Sequence, residues 1–370
     1  MRLFLCGDVM TGRGVDQALG RPGSPQLHEP FVLDAREYLR LAERASGPLP
    51  RPVDDAWVWG DALTVLAAEA VDVRLINLET AITARGRAWP GKGIHYRMHP
   101  ANVGVLAAAG VDACTLANNH VLDWGHVGLT DTLATLAEAG IATAGAGADA
   151  AAAAAPAIVN GVVMLAYGVA DSGIGRDWAA EAHRSGVNRL EDLGPATTRR
   201  AANDIAQARG PGDLVVVSLH WGPNWDHDIP DEQRRFAHAL IDAGAAIVHG
   251  HSSHHVKALE RYRGGLILYG CGDFINDYEG IVDRRQRYRP ELTLMYLVHV
   301  DDAGTVERCA MVPLRRRRLR LEHAGDEDAA WLARRLDDVS APLGTHVGRA
   351  DGRLLALRPE GDASSQRPAR

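Results

Sequence analysis

Histidine, aspartate, glutamate and asparagine gather at six places in this chain, each at the end of a short apolar run. The strings are Gly7-Asp8-Val9-Met10-Thr11-Gly12-Arg13, Asn77-Leu78-Glu79-Thr80, Ala117-Asn118-Asn119-His120, His220-Trp221-Gly222, His249-Gly250-His251-Ser252-Ser253-His254-His255 and Gly270-Cys271-Gly272-Asp273-Phe274. Oxygen donors mixed with imidazoles suit a divalent cation, and oxygen-rich sets favour Ca²⁺, Mg²⁺ or Mn²⁺ over Zn²⁺. His249 and His251 stand two apart across Gly250, a spacing that we expect to turn both rings toward one site. Asp123 lies close to His120, and Asp226 and Asp228 lie close to His220 and His227. Such carboxylates orient imidazoles for proton transfer.

The elements that position these groups alternate along the chain. Apolar, β-branched runs at 3–6, 73–77, 113–116, 158–159, 162–166, 214–219, 246–248, 266–269 and 293–300 predict strands. Stretches of helical period at 101–109, 129–139, 197–208 and 231–243 predict helices. Asp231-Glu232-Gln233 after Pro230 supplies an acidic first turn, and Gly244 closes that helix. This alternation implies an α/β layered protein, with mixed sheets where hairpin spacing occurs near 158–166 and 293–310. Open α/β sheets place ligands beyond the carboxyl ends of their strands, so the six polar ends should converge. We partition the chain into a catalytic domain over 1–325, a helical C-terminal appendage over 326–360 and a disordered tail over 361–370.

Other strings set the surroundings. Trp89-Pro90-Gly91-Lys92-Gly93, followed by His95, Tyr96 and Arg97, reads as a mobile substrate loop, and Arg13, Lys92 and Arg97 are the cations expected to meet the substrate. Trp124, Trp221 and Trp225 follow the polar strings closely and are expected to wall the substrate. No G-x-G-x-x-G opens a helix, so no nucleotide cofactor is expected, and no G-x-S-x-G elbow supports a serine hydrolase.

Composition narrows the function classes. The 370 residues carry 40 basic and 47 acidic side chains, a net charge of −7, and no long basic stripe, which tells against nucleic acid. No run approaches the ~20 apolar residues that span a bilayer, and the N-terminus opens on a strand. The four cysteines are scattered, without a Cys-x-x-Cys, as in a reducing compartment. The expectation is a cytoplasmic enzyme with a small or peptide substrate, free of membrane contact.

At the six polar strings the sequence resembles the CapA family of capsule and poly-γ-glutamate biosynthesis, within the calcineurin-like metallophosphoesterase superfamily. The matching strings run in family order over roughly residues 1–280. The resemblance implies a four-layered α/β/β/α sandwich of two mixed sheets with a metal site at one edge. It implies Asp8, Glu79, Asn119, His220, His249 and His251 as metal ligands and His120 as the proton-transfer histidine. Two departures shape the expected activity. The superfamily's first motif is Asp-x-His, but Met10 stands at the second ligand position, and a thioether is a poor ligand for hard cations. The chain also shows no anchor, unlike capsule-synthesis members, and one kind of soluble member is the lasso-peptide epimerase. The first reading is therefore a metal-dependent epimerase that inverts the Cα of a ribosomal precursor peptide's C-terminal residue. Asp8, His120, His220, Asp123 and Asp226 would carry its two-base chemistry. The alternatives are a phosphoesterase-like or poly-γ-glutamate-related enzyme with a dinuclear centre, and a non-catalytic protein that binds an anionic polymer.

Overall fold

Why apolar runs of four to nine residues become strands is visible in their burial. Val162–Val169 and Leu214–His220 are buried at every position, as expected of parallel strands covered on both faces. The computed structural model describes residues 1–282 and 284–357, and the tail expected to be disordered, 361–370, lies outside the described residues.

Two mixed sheets form the middle of the molecule. The larger runs in the order His346–Ala350, Arg353–Leu357, Val306–Arg317, Leu292–Val300, Arg2–Val9, Val73–Leu78, Ala113–Thr115 and Ala142–Ala144. Its Arg2–Val9, Val73–Leu78, Ala113–Thr115 and Ala142–Ala144 strands are parallel, whereas Leu292–Val300 pairs antiparallel with Arg2–Val9 and Val306–Arg317 pairs antiparallel with Leu292–Val300. Asp273–Ile275 joins the far end of Arg2–Val9 in parallel. The smaller sheet runs Arg189–Leu190, Val162–Val169, Leu214–His220, Ile247–His251, Gly265–Leu268 and Leu259–Tyr262, with Ala157–Val159 as a hairpin on Val162–Val169.

Strand alternation assigns the faces. Val163, Leu165, Val215, Val217 and Ile267 pack with Ile205, Phe236 and Leu240 of the helices Pro195–Ala208 and Asp231–Asp242. Their neighbours Val162, Met164, Leu214, Val216 and Leu266 instead join the core that also contains Leu3, Leu5, Leu75 and Ala113. The sheets therefore pack on each other through that core. The larger sheet is covered in turn by Val65, Leu66, Val105, Leu106, Leu129 and Leu136 from the helices Asp61–Ala68, Gly104–Ala108 and Gly125–Glu138. This is the four-layered α/β/β/α arrangement that the family resemblance implies.

Two expectations change in detail. The helix expected over 101–109 is a 3-10 turn, Pro100–Asn102, followed by the short helix Gly104–Ala108. The appendage expected to be helical contributes one helix, Asp326–Ser340, and then a hairpin, His346–Ala350 with Arg353–Leu357, that extends the larger sheet. Within the arginine run that ends the strand Val306–Arg317, Arg316 turns inward, is buried, and donates to the carbonyl of Asp273. All four cysteines are free and buried.

Candidate metal centre

The carboxyl ends of the parallel strands meet where the two sheets adjoin. In register, Asp8 lies beside Asn77 on one side and Asp273 on the other, while His220 lies beside His251 in the smaller sheet. Asp8 is fully buried. Its Oδ1 accepts from Asn77 Nδ2 at 2.7 Å, and the same amide nitrogen donates to Glu79 Oε2 at 3.0 Å. Asn77 Oδ1 in turn accepts from Asn118 Nδ2 at 3.0 Å, and Asn118 Oδ1 accepts the His120 and Val121 N–H groups. Two asparagines thus set the carboxylates and the turn that carries His120.

Two groups of donors share Asp8. Asp8, His220 and His251 offer ligand atoms within 4.8 Å of one another, and so do Asp8, His254 and Asp273. Asp8 Oδ2 is buried without a hydrogen-bond partner. A buried, unsatisfied carboxylate oxygen costs free energy unless a cation or proton meets it. Burial, followed by the Asp273 charge, pushes the Asp8 carboxyl up to about 7. Burial and then Asp8 likewise push Glu79 well above its usual range. Buried carboxylates crowded in this way lack positive charge, so the residues present fit a divalent cation.

Each imidazole has a distinct setting. His220 Nδ1 lies 2.7 Å from His251 Nδ1, and its Nε2 lies 3.1 Å from Asn119 Oδ1. Burial holds both rings well below the ordinary histidine range. His254 Nδ1 lies 2.7 Å from Asp273 Oδ1, and Asp273 Oδ2 accepts from Asn276 at 2.6 Å. Burial opposes a charge on His254, but the Asp273 carboxylate overrides it and the ring's pKa is raised. His120 Nδ1 lies 2.6 Å from Asp123 Oδ2, whose other oxygen takes Lys92 Nζ at 2.5 Å. The Tyr96 N–H also donates to Asp123 Oδ2, and the Tyr96 ring edge packs on His120 at 4.5 Å. Burial would raise Asp123, yet His120 and Lys92 hold it below the usual carboxylate range. His120 itself is lowered to about 4, chiefly by burial.

Asp8, Glu79, Asn119, His120, Asp123, Lys92, His220 and His251 therefore come together. Glu79 sits 3.8 Å from His120 Nε2 and 3.9 Å from His220 Nδ1. Trp225 borders the centre, tilted against His254 at 5.2 Å. Other expected site residues lie elsewhere. His249 was expected as a ligand, but its Nε2 donates to the Cys6 carbonyl at 2.7 Å and its Nδ1 meets Ser218 at 3.1 Å. The strand Ile247–His251 runs on through Gly250, so His249 lies one pleat deeper than His251. Gly250 is needed for packing rather than turning, because a Cβ there would lie 2.5 Å from Leu268 O.

Arg13 is buried and its donors are spent on Asp277, Glu29 and Tyr38, so it cannot be a substrate contact. Trp221 is buried behind the smaller sheet, stacked on Tyr269 with Nε1 donating to Tyr269 O. The Asp226 carboxylate accepts from the Asp228 N–H in a turn, and the ring partners of His220 are Asn119 and His251 instead. Arg97 and Trp124 lie together beyond His120, with the guanidinium 3.6 Å above the indole.

Sequence reasoning did not assign roles to His254 and Asp273, although both stood in the polar strings. The signal was available: Gly272-Asp273 ends an apolar run just as Gly7-Asp8 does. Asn77 and Asn118 were similarly quoted without a task.

Residues 2–278 match the family model for the bacterial capsule synthesis protein PGA_cap, and the chain belongs to that family. It is 47% identical to a "Probable polyglutamine synthesis accessory protein" of Mycobacterium tuberculosis, across 98% of this chain and 97% of the relative. It is 35% identical to the PGA biosynthesis protein CapA of Bacillus subtilis, across 73% of this chain and 62% of that protein. Among solved structures, a 5'-nucleotidase precursor from Thermus thermophilus aligns with 85% of this chain and 54% of its own, at 13% identity and a TM-score of 0.44.

Proposed function

We propose that this protein is a metal-dependent hydrolytic enzyme that serves the synthesis of a glutamyl polymer. The unpartnered Asp8 Oδ2, buried between two histidine-containing donor groups, is the observation that carries the enzymatic half. The names of the relatives carry the polymer half, since both refer to polyglutamine or PGA synthesis.

Asp8, His220 and His251 would hold one cation, and Asp8, His254 and Asp273 a second. Bound divalent cations supply Lewis acidity to a phosphoryl or acyl oxygen. With three imidazoles among the donors, the set suits a first-row transition ion such as Mn²⁺ better than Ca²⁺ or Mg²⁺. His120 takes or returns a proton at Nε2, because Nδ1 is held by Asp123 and that pairing fixes ring orientation. Lys92 keeps Asp123 ionised, and Trp225 shields the His254 side from water. The peptide-epimerase reading needs a second imidazole set by a carboxylate on the opposite face. His220, its candidate, sits between Asn119 and His251 inside a donor group, so the hydrolytic reading is preferred.

The test is turnover by the full chain, stripped with EDTA and reloaded with Mn²⁺, on p-nitrophenyl phosphate and on γ-glutamyl-p-nitroanilide. Hydrolysis of either that disappears in EDTA and in Asp8→Asn is expected. Turnover that survives both treatments, or none on either substrate, would contradict the proposal.

A further inference from the structure

Beside the centre, and outside both donor groups, lies a cluster in which two buried polar atoms lack partners. The rings of His28, His95 and Trp124 stand 5.8 to 6.4 Å apart, and the Arg97 guanidinium covers the Trp124 face at 3.6 Å. Trp124 and His95 are buried, 6% and 3% exposed, while His28 is exposed at the rim. Trp124 Nε1 has no acceptor, and His95 Nδ1 has no partner either. His95 Nε2 donates to Trp89 O at 2.9 Å, so in the neutral ring Nδ1 is an acceptor.

Arg97 is equally unspent. Among the described residues its guanidinium makes no hydrogen bond or ion pair, and its contact is the indole face. Asp16 is the carboxylate that acts on it, but both Asp16 oxygens are occupied. Oδ1 accepts from His99 N and Asn102 Nδ2, and Oδ2 accepts from Gly23 N. Trp124 also precedes the helix Gly125–Glu138, whose positive end favours an anion.

A free cation, a buried donor and a buried acceptor leave a specific ligand complement: a carboxylate next to an N–H group. Each repeat of a glutamyl chain carries both. Arg97 and the Trp124 N–H would take the carboxylate, and His95 Nδ1 would accept the amide N–H. The cluster is coupled to the centre by two chain neighbours. Asp123, which orients His120, precedes Trp124, and Tyr96, which packs on His120, follows His95.

We infer that Arg97, Trp124 and His95, with His28 at the rim, form a subsite for one glutamyl unit of an acidic peptide polymer. This rests on the polymer reading above, which it deepens by naming a recognition site. The test is calorimetric titration of the full chain with a γ-linked glutamate pentamer, a glutamine pentamer and N-acetylglutamate. The glutamate pentamer should bind, with the glutamine pentamer at least about tenfold weaker, as loss of charge-assisted hydrogen bonds predicts. Arg97→Gln should weaken glutamate-pentamer binding at least about tenfold, and Trp124→Phe, which keeps the ring and removes the donor, about threefold or more. Both variants should take up Mn²⁺ as the wild type does, which separates a lost subsite from a misfolded chain. If both variants bind the pentamer like the wild type, the subsite is wrong while the polymer reading stands. If N-acetylglutamate binds through Arg97 and the pentamer does not, the subsite stands and the polymer reading falls. Failure of every carboxylate probe to bind would overturn the inference.

Discussion

Lys92, Asp123 and His120 form a hydrogen-bonded line that ends at the centre, and this line sets which nitrogen of His120 faces the substrate. Asp123→Asn should keep the fold, because the single amide oxygen still accepts from one of the two donors, the Tyr96 N–H or Lys92, but it removes the charge that fixes the ring. Loss of such an outer partner lowers activity by about 10–100-fold. Steady-state kinetics should show that loss in kcat, with the Mn²⁺ affinity little changed; an equal loss of Mn²⁺ affinity would instead place Asp123 in ion binding. Asp8, Asn119, His120, His220 and His251 were readable at this scale because each ends an apolar run. Asp273 and His254 stood in the same kind of string, but their partnership with Asp8 depends on the parallel register that puts Asp273 beside Asp8. His249 misled for a related reason: spacing shows that it shares a face with His251 but not how deep along that face it lies.

At the scale of elements, the close approach of Arg2–Val9 to the segment before Asp273 holds the centre together. The Asp8 N–H donates to Gly272 O at 3.0 Å, and a Cβ on Gly7 would lie 1.7 Å from that oxygen. Gly7→Ala should therefore cost at least about 2 kcal/mol, because backbone must move. Denaturant unfolding measures this, and a variant as stable as the wild type would show the approach to be dispensable. A second joint closes the open edge of the smaller sheet. The buried N–H groups of Leu259 and Arg261 donate to Ser340 Oγ and Thr345 Oγ1, side chains that follow from the helix Asp326–Ser340. Ser340→Ala should cost about 1–2 kcal/mol by leaving one of these donors unmet, with kcat unchanged. The parallel strands and the helices at 195–208 and 231–242 were legible from periodicity. The terminal hairpin was not: His346–Ala350 is five residues, mostly not buried, and exists because Arg353–Leu357 pairs with Val306–Arg317.

For the molecule as a whole, the burial of so many uncharged imidazoles has a consequence for acid stability. His120, His227 and His249 are lowered to about 4 and His255 to about 3, with burial the largest cause in each, and burial also holds His220 and His251 well below the ordinary histidine range. A ring whose folded pKa is depressed stabilises the fold above its unfolded pKa of about 6.5 and loses that contribution as pH falls toward the folded value. Asp8 and Glu79, raised in the fold, act in the opposite direction over the same window. These six rings, with His299 also lowered, outnumber the groups raised in the fold, Asp8, Glu79, Asp16 and His254, so the Tm of metal-free protein should fall from pH 7 to pH 5. A rising Tm in EDTA would mean that the carboxyl cluster dominates. Among the described residues no helix is long and apolar enough to cross a membrane. An α/β layered protein was legible from the alternation of strands and helices and the four layers from the family resemblance, while the packing of one sheet on the other through Met164, Val216 and Leu5 emerged only in three dimensions.

The central claim is that Asp8 is shared by two cation-holding groups, one completed by His220 and His251 and the other by His254 and Asp273. Counting bound Mn²⁺ per chain, by calorimetric titration with elemental analysis of the gel-filtered protein, tests it most directly. Two ions in the wild type, one in Asp273→Asn and none in Asp8→Asn is the predicted series. A wild type that holds a single ion, or an Asp8→Asn variant that still holds two, would contradict it.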